Sequence, residues 1–465
     1  MRARLVLALG CSLLAACGRV LYQTSDAASV GLDAPGLDAP GPDAPGPDAP
    51  GRDAPGLDAP VVDAALDAFS SPPDAPPRAD APPEILCGGA GALTSYADLG
   101  TGAPSDPYVI CNQAQWESFL TDGPGSASYR LGADLDIASD IRGSSLMGEL
   151  DGGGHVVVNH AFWTGPLFAS LVGGSVHDLR LQTNVDAQTT DQVGAIAGSA
   201  TGSVLRVTVL ADFVTGADET GGLLGTCTGC TVSDSSVSIS RISGMADVGG
   251  VVGHMTGGEI RRTRSSVLQL DSRLATGCAN LGGIVGSMAA GGTVSESYAE
   301  STLVGLGVGG IVGDAGLGAD VHDVVALGQY AAMGSGCSFA AAGVAGNGNG
   351  VIARGWTKIA NVSAGIADHL GIGASVSDFA AVHGAVPTVY LVARSCDAGT
   401  SATNVVAFDD GSGGLGVSMC SLAPAATVAT EMYFWSPANA PMSSWSAAVW
   451  SFSSSGLPTL RNLPP

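Results

Sequence analysis

Carboxylates set close together can divide the work of a general acid and a general base, so the paired acids of this chain come first. Four pairs stand out: Asp134 with Asp136, Asp218 with Glu219, Asp320 with Asp323, and Asp409 with Asp410. Asp134 and Asp136 are two residues apart and fall on one face of a strand. Asp409-Asp410-Gly411 reads first as a turn. The seven histidines, His155, His160, His177, His254, His322, His369 and His383, show no metal-ligand spacing. No zincin motif, nucleophile elbow or phosphate loop occurs in these 465 residues. His177-Asp178 and His322-Asp323 recur at matching places in a repeat, which points to a repeated surface. Cys227-Thr228-Gly229-Cys230 is a C-x-x-C, but no partner motif completes a zinc site and no βαβ setting suits thiol exchange. A local corner disulfide is expected there. The acids are scattered, with no catalytic constellation, no cofactor signal and no metal signal.

The elements that would position these residues repeat. The pattern Gly-[Gly/Ala]-apolar-apolar-Gly occurs at Gly194–Gly198, Gly221–Gly225, Gly249–Gly253, Gly282–Gly286 and Gly309–Gly313. Its glycines are Gly194, Gly198, Gly221, Gly222, Gly225, Gly249, Gly250, Gly253, Gly282, Gly283, Gly286, Gly309, Gly310 and Gly313. Looser copies are Gly165–Ala169 and Ala342–Gly346, and the closing positions lie 29, 27, 28, 33, 27 and 33 residues apart. Each copy is followed by a loop and a second apolar stretch that alternates, as strands do. A period near 28 residues with two or three short strands predicts one coil of a parallel β-solenoid per repeat. The glycines are expected to take corners at positive φ and to let stacked backbones approach closely. The aliphatic pairs between them should stack into interior ladders.

Composition agrees. The chain has 69 glycines and only 5% aromatic residues, while hydrophobic residues still make up 45%. A thin coil interior takes Val, Ile, Leu and Ala rather than large rings. Acids outnumber Lys and Arg by 42 to 18, a formal charge of −24, which excludes nucleic acid as a partner. Twelve of those acids, against Arg52 and Arg78, lie in residues 24–84, where Asp-Ala-Pro recurs every five residues from Asp33 to Pro60. Such a stretch cannot bury a core, and its charges extend it into a stalk. Ahead of it stand a basic start, the apolar run Leu5–Leu14 and Leu14-Ala15-Ala16-Cys17. The run is too short to cross a bilayer and fits a secretory signal. The four residues resemble a bacterial lipobox, which makes Cys17 the lipidated first residue of the mature chain.

The repeats resemble the GLUG motif of bacterial surface and secreted proteins. The resemblance extends upstream, through Pro107-Tyr108-Val109-Ile110, Leu131 to Ile137 and Leu150-Asp151-Gly152-Gly153-Gly154-His155, and to the tail Trp450-Ser451-Phe452 with Leu457-Pro458-Thr459-Leu460. It covers about residues 105–350 and the last 20, and it fades over 350–440, where coils are expected by continuity alone. It implies a right-handed parallel β-helix and association with the cell surface, and it implies no chemistry.

Solenoid ends expose strand edges and need caps. Asn112 with Gln115 forms a capping box, and Trp116, Phe119 and Leu120 share a helical face, so a short helix is expected over the N-terminal end. Trp435, Trp445 and Trp450 are expected to cap the other end, with a sugar-stacking site as the alternative. Once Cys11 and Cys17 are set aside, eight cysteines remain, and an oxidising compartment favours their pairing. Cys87 with Cys111, Cys396 with Cys420, and Cys227 with Cys230 are the expected local pairs. Cys278 and Cys337 sit in the two 33-residue repeats and are expected to meet over the short coil between them.

The organisation expected is therefore a signal peptide (1–16), a lipidated Cys17 with a disordered tether (17–84), an N-terminal cap with first coils (85–160), the repeat solenoid (161–350) and degenerate coils with a cap (351–465). The expected function is adhesin-like binding or a structural role at the outer membrane, surface-exposed. Its partners would be the membrane through the lipid, and a glycan, matrix component or another surface protein. A β-helical polysaccharide lyase or glycoside hydrolase is the alternative.

Overall fold

The structure is a computed structural model that describes residues 87, 93–122, 124–272, 279–289, 291–305, 307–332, 341–382, 388–389, 392–408, 414–415, 420, 422, 424 and 426–465. The expected signal peptide, Cys17, the tether, Cys278, Cys337, His383, Asp409 and Asp410 lie outside the described residues.

One repeat shows the plan. A long strand, Thr208–Thr215, is followed by a short one, Glu219–Gly221, then by Leu224–Thr228 and by Thr231–Ser233. Each pairs in parallel with its equivalent one repeat on: Val209 with Val237, Thr220 with Val248, Leu224 with Val252, and Val232 with Ile260. Repetition gives parallel sheets of twenty, ten and five strands, and the chain is a parallel β-solenoid. The aliphatic ladders are continuous. Val176, Val204, Val232, Ile260, Val294, Val321, Ile352 and Val376 stand in register and are buried. Stacking an apolar side chain between two like neighbours removes nearly all of its surface from water, worth about 1.5–3 kcal/mol for each such residue.

The motif glycines act differently from one half of their expected role. None of them has the left-handed φ expected at a corner. They are required for close approach instead. A Cβ on Gly253 would lie 2.5 Å from Thr220 N, one on Gly286 2.5 Å from Val248 N, and one on Gly313 2.6 Å from Leu281 N. At each place the bend between the five- and ten-stranded sheets presses one coil onto the backbone of the coil before it. Left-handed glycines occur elsewhere, at the turn after the ten-stranded sheet, as at Gly229 (φ 65°) and Gly257 (φ 65°).

The short helix α1 (Gln113–Asp122) packs against the first rungs. Asn112 Oδ1 accepts the Gln115 N–H at 2.9 Å, and Gln115 Oε1 accepts the Cys111 N–H at 2.9 Å. Trp116, Phe119 and Leu120 are buried, with the Phe119 ring 6.0 Å from that of Phe168. Coils persist through the stretch where the repeat motif fades, with parallel strands at Val351–Ala360, Ala367–Leu370, Ser375–Val382, Ala393–Cys396 and Val406–Phe408.

Trp445 and Trp450 do not lie over the end of the rod. Residues 430–465 turn back along its flank. Trp450 Nε1 donates to Asp323 Oδ1 at 2.9 Å, Trp445 Nε1 to Asp378 O at 2.9 Å, and Trp356 Nε1 to Pro458 O at 2.8 Å. Trp445 and Trp450 are buried, so they form no open stacking site. The reason lies in one outward column of the long strands. It reads Thr208, Ser236, Arg264, Tyr298 and then Val325, Trp356, Ala380, Val406. From Val325 onward the column is apolar and needs a cover, which the tail provides.

Cys87 pairs with Cys111, Cys227 with Cys230, and Cys396 with Cys420, with Cα separations of 5.7, 5.3 and 5.3 Å. Among the described residues no helix is long and apolar enough to cross a membrane.

Candidate functional site: a polar groove and a charged corner

The bend that needs glycine also makes a groove. Its floor is the stack Gly198, Gly225, Gly253, Gly286, Gly313, Gly346. A Cβ on Gly225 would sit 2.6 Å from Gly198 O, and one on Gly286 2.6 Å from Gly253 O. One wall is the column Gln192, Glu219, Asp247, Asn280. The other is Ser199, Thr226, His254, Ser287, Asp314, Asn347, His369, Ser395. At the N-terminal end the groove opens to about 650 Å³, lined by Arg142, Thr190, Asp191, Gln192, Asp218 and Glu219 among others. Two coils further on it is bridged, where His254 Nδ1 meets Asp247 Oδ2 at 2.9 Å and Asn280 Nδ2 donates to Asp247 Oδ1 at 2.8 Å. The bond to Asp247 outweighs burial and holds the His254 pKa above its ordinary 6.5. Asp314, in the same wall, is raised by burial.

Of the carboxylate pairs considered from sequence, Asp218 with Glu219 reaches this groove, and Asp191 joins them from the preceding coil. The other described pairs are engaged apart. Asp134 bonds His155 at 3.1 Å and Asp136 bonds His160 at 3.0 Å. Asp320 stands 4.0 Å from His322, and Asp323 is buried beneath Trp450. The groove can accept hydrogen bonds from hydroxyls or amines along one side of an extended chain and donate through Arg142 and Gln192.

A second set includes Asp178 and Asp323, named above beside their histidines, and otherwise residues that the sequence did not single out. The corner between the short and long strands is taken, coil after coil, by a left-handed residue that is not glycine: Asp178, Arg206, Asp234, Arg262, Glu296, Asp323, Arg354, Asp378 and Asn404, with φ between 46° and 54°. A left-handed conformation costs an L-residue about 1–2 kcal/mol, so a gain must offset it. Here the gain is a ladder of charges of largely alternating sign. Arg206 forks onto Asp178 at 2.5 and 2.6 Å, Arg262 onto Asp234 at 2.5 and 2.8 Å, and Arg354 Nε reaches Asp323 Oδ2 at 3.0 Å. Glu296 is held instead by Arg261 at 2.6 Å. The signal was present, as a charged residue two positions after the stacked Val or Ile of each short strand, alternating in sign over four repeats.

His177 and His322 do occupy equivalent places, and each bonds the corner Asp that follows, at 2.8 and 2.9 Å. His177 is also bonded through Nε2 to Glu149 at 2.7 Å. Asp151, His177 and Asp178 come from two coils to within 4.8 Å of one another, a grouping that spacing along the chain could not show. A divalent cation there would have to take Asp178 from Arg206 and the shared proton from His177. Burial alone would lower the His177 pKa, but Asp178 and Glu149 outweigh it and raise it. Burial would raise Asp178, but Arg206 and His177 outweigh it and hold its carboxyl below the usual 3.8. Asp234 is held low chiefly by Arg262.

These shifts fix a pH dependence. The raised histidines, His177 and His254, contribute stability that is present below about pH 6.5 and lost as pH rises through their folded values. The lowered aspartates, Asp178 and Asp234, contribute above 3.8 and lose it as pH falls through their folded values. Asp314 opposes them on the acid side. Thermal melts across pH should therefore peak between about pH 4 and pH 6.5. Arg206→Ala should flatten the acid limb and cost about 1 kcal/mol, since the pair is partly exposed. An unchanged melting profile in that variant would remove the ladder from the stability account.

No family model matches the chain. It is 32% identical to halomucin of Haloquadratum walsbyi over 162 residues, which are 29% of this chain and 2% of that protein. It is 27% identical to the immunoglobulin A1 protease of Streptococcus pneumoniae over 197 residues, 38% of this chain and 10% of that protein. The chain thus spans a small fraction of the curated relatives it matches. A solved structure described as a candidate immunoglobulin A1 protease of Bacteroides ovatus matches with a TM-score of 0.37 and 15% identity, over 78% of this chain and 94% of that one.

Proposed function

We propose that this protein is a lipid-anchored, surface-displayed member of the GLUG-type solenoids that binds an extended partner along its length. Cys17 is the anchor, the Asp-Ala-Pro stretch is a stalk, and the solenoid is the contact surface. The observation that carries the reading is the groove: a glycine-floored bend whose polar walls gain one hydrogen-bonding side chain per coil. Such a surface meets a repeating polymer with a repeating set of partners. Its likeness to segments of halomucin and of an immunoglobulin A1 protease is consistent with a module shared among much larger proteins.

One specific observation favours a second reading. Asp191, Asp218 and Glu219 share the open end of the groove, where carboxylates of two coils face one space. That arrangement suits general acid and base work on a polysaccharide. A polysaccharide panel separates the two. Binding without new reducing ends or unsaturated products supports the first reading. Product release that Glu219→Gln abolishes supports the second and overturns the first.

A further inference from the structure

Resting on the binding reading but at a different place, we infer that Phe162 and Phe213 form a stacking ledge for a neutral glycan. Phe162 is 61% exposed, and among the described residues it is the one exposed Phe, Tyr or Trp. Its ring lies 5.6 Å from that of Phe213, tilted by 39°. The two come from coils on either side of the strand Arg180–Asp186. Both flanking strands lose register with that strand at this point, between Val158 and Phe162 on one side and between Leu210 and Val214 on the other. Bulges re-aim side chains, and here two of them turn outward together. Asn184 on that strand is in register with Phe162, and its Oδ1 accepts the N–H groups of Asp212 and Phe213 at 2.7 and 3.3 Å. The rings therefore close over the intervening coil.

The surroundings name the ligand class. Phe162 exposes about 120 Å² if a Phe carries roughly 200 Å². That is the scale of one apolar sugar face. From Phe213 the same column continues along the rod as Arg241, Gln269, Thr302 and Gln329, one per coil. Coils repeat at about 4.8 Å, so polar side chains recur at a spacing close to one sugar unit, Arg241 and Gln269 meeting on Asp271 and Gln329 on Thr302, each with further donor capacity for a ligand hydroxyl. Asp212, bonded to Asn184 and next in sequence to Phe213, disfavours polyanionic glycans at this place.

The test uses the full chain titrated with cellohexaose, xylohexaose, laminarihexaose and maltohexaose, with a hyaluronan oligosaccharide as the charged counterpart. At least one neutral hexasaccharide should bind. Phe162→Ala and Phe213→Ala should each weaken it about tenfold, and Phe162→Trp should retain it. An exposed ring can be removed with little effect on folding, which the melting temperature checks. Binding that survives both alanine variants, or is lost only on Glu219→Gln, overturns the ledge and leaves the groove as the site. Binding of hyaluronan alone, or of no oligosaccharide, overturns the ledge without touching surface display, which is read separately on intact cells.

Discussion

Replacing Trp450 by Ala should destabilise the protein by about 3–5 kcal/mol, among the largest effects a single side chain can have here. Trp450 is fully buried, stacked 4.4 Å from Trp445, and its Nε1 holds Asp323 Oδ1 at 2.9 Å. Two losses combine. The cavity removes packing against Val325, Trp356 and Ala380, and a buried carboxylate loses one donor while keeping His322 and Arg354. Trp450→Phe separates them, since most of the packing stays and the bond goes, at about 1–3 kcal/mol. Because a solenoid's stability is built from neighbour contacts, the damage should first appear locally. Limited proteolysis should cut residues 430–465 before it cuts the coils. A tail as resistant in Trp450→Ala as in the parent would contradict its role as a cover.

The second large effect concerns the bend. Gly253→Ala places a Cβ 2.5 Å from Thr220 N, a backbone atom of the adjacent coil that cannot move without the coil moving. A cost of about 3 kcal/mol or more is expected. Gly229→Ala is the control. It has positive φ (65°) with nothing within 4 Å of the added Cβ, so only conformational strain of about 1–2 kcal/mol applies. Denaturant midpoints should fall much further for Gly253→Ala. If the two variants were equally destabilised, or Gly229→Ala more so, close approach would not be what the motif glycines supply.

That contrast also marks how far the fold could be read from the sequence. The period, the strands, the aliphatic ladders and α1 were legible, because each is written in local pattern. The role of the motif glycines was half legible: spacing shows that a Cβ is unwelcome, but not whether φ or a neighbouring backbone forbids it. Local sequence puts the tail's tryptophans at the end of the rod, whereas they lie along its flank. The cue was the change from Thr208, Ser236 and Arg264 to Val325, Trp356 and Ala380, which is visible only once the coils are in register. The groove had the same difficulty. Glu219 and Asp218 were visible as a pair, but Asp191, Gln192 and Arg142 join them only through stacking. The corner charges Asp178, Arg206, Asp234 and Arg262 were readable in principle, at intervals of 28 residues, yet only geometry shows that they share one ladder.

Display at the cell surface is the claim on which the functional account turns. Intact cells producing the full chain should be treated with a broad protease, and the solenoid followed by an antibody to residues 161–350, with a periplasmic protein as the integrity control. Loss of the solenoid while the control survives is the predicted result, and Cys17→Ser should remove the protein from the membrane fraction. A solenoid that survives on intact cells and is digested only after the outer membrane is opened would contradict the account.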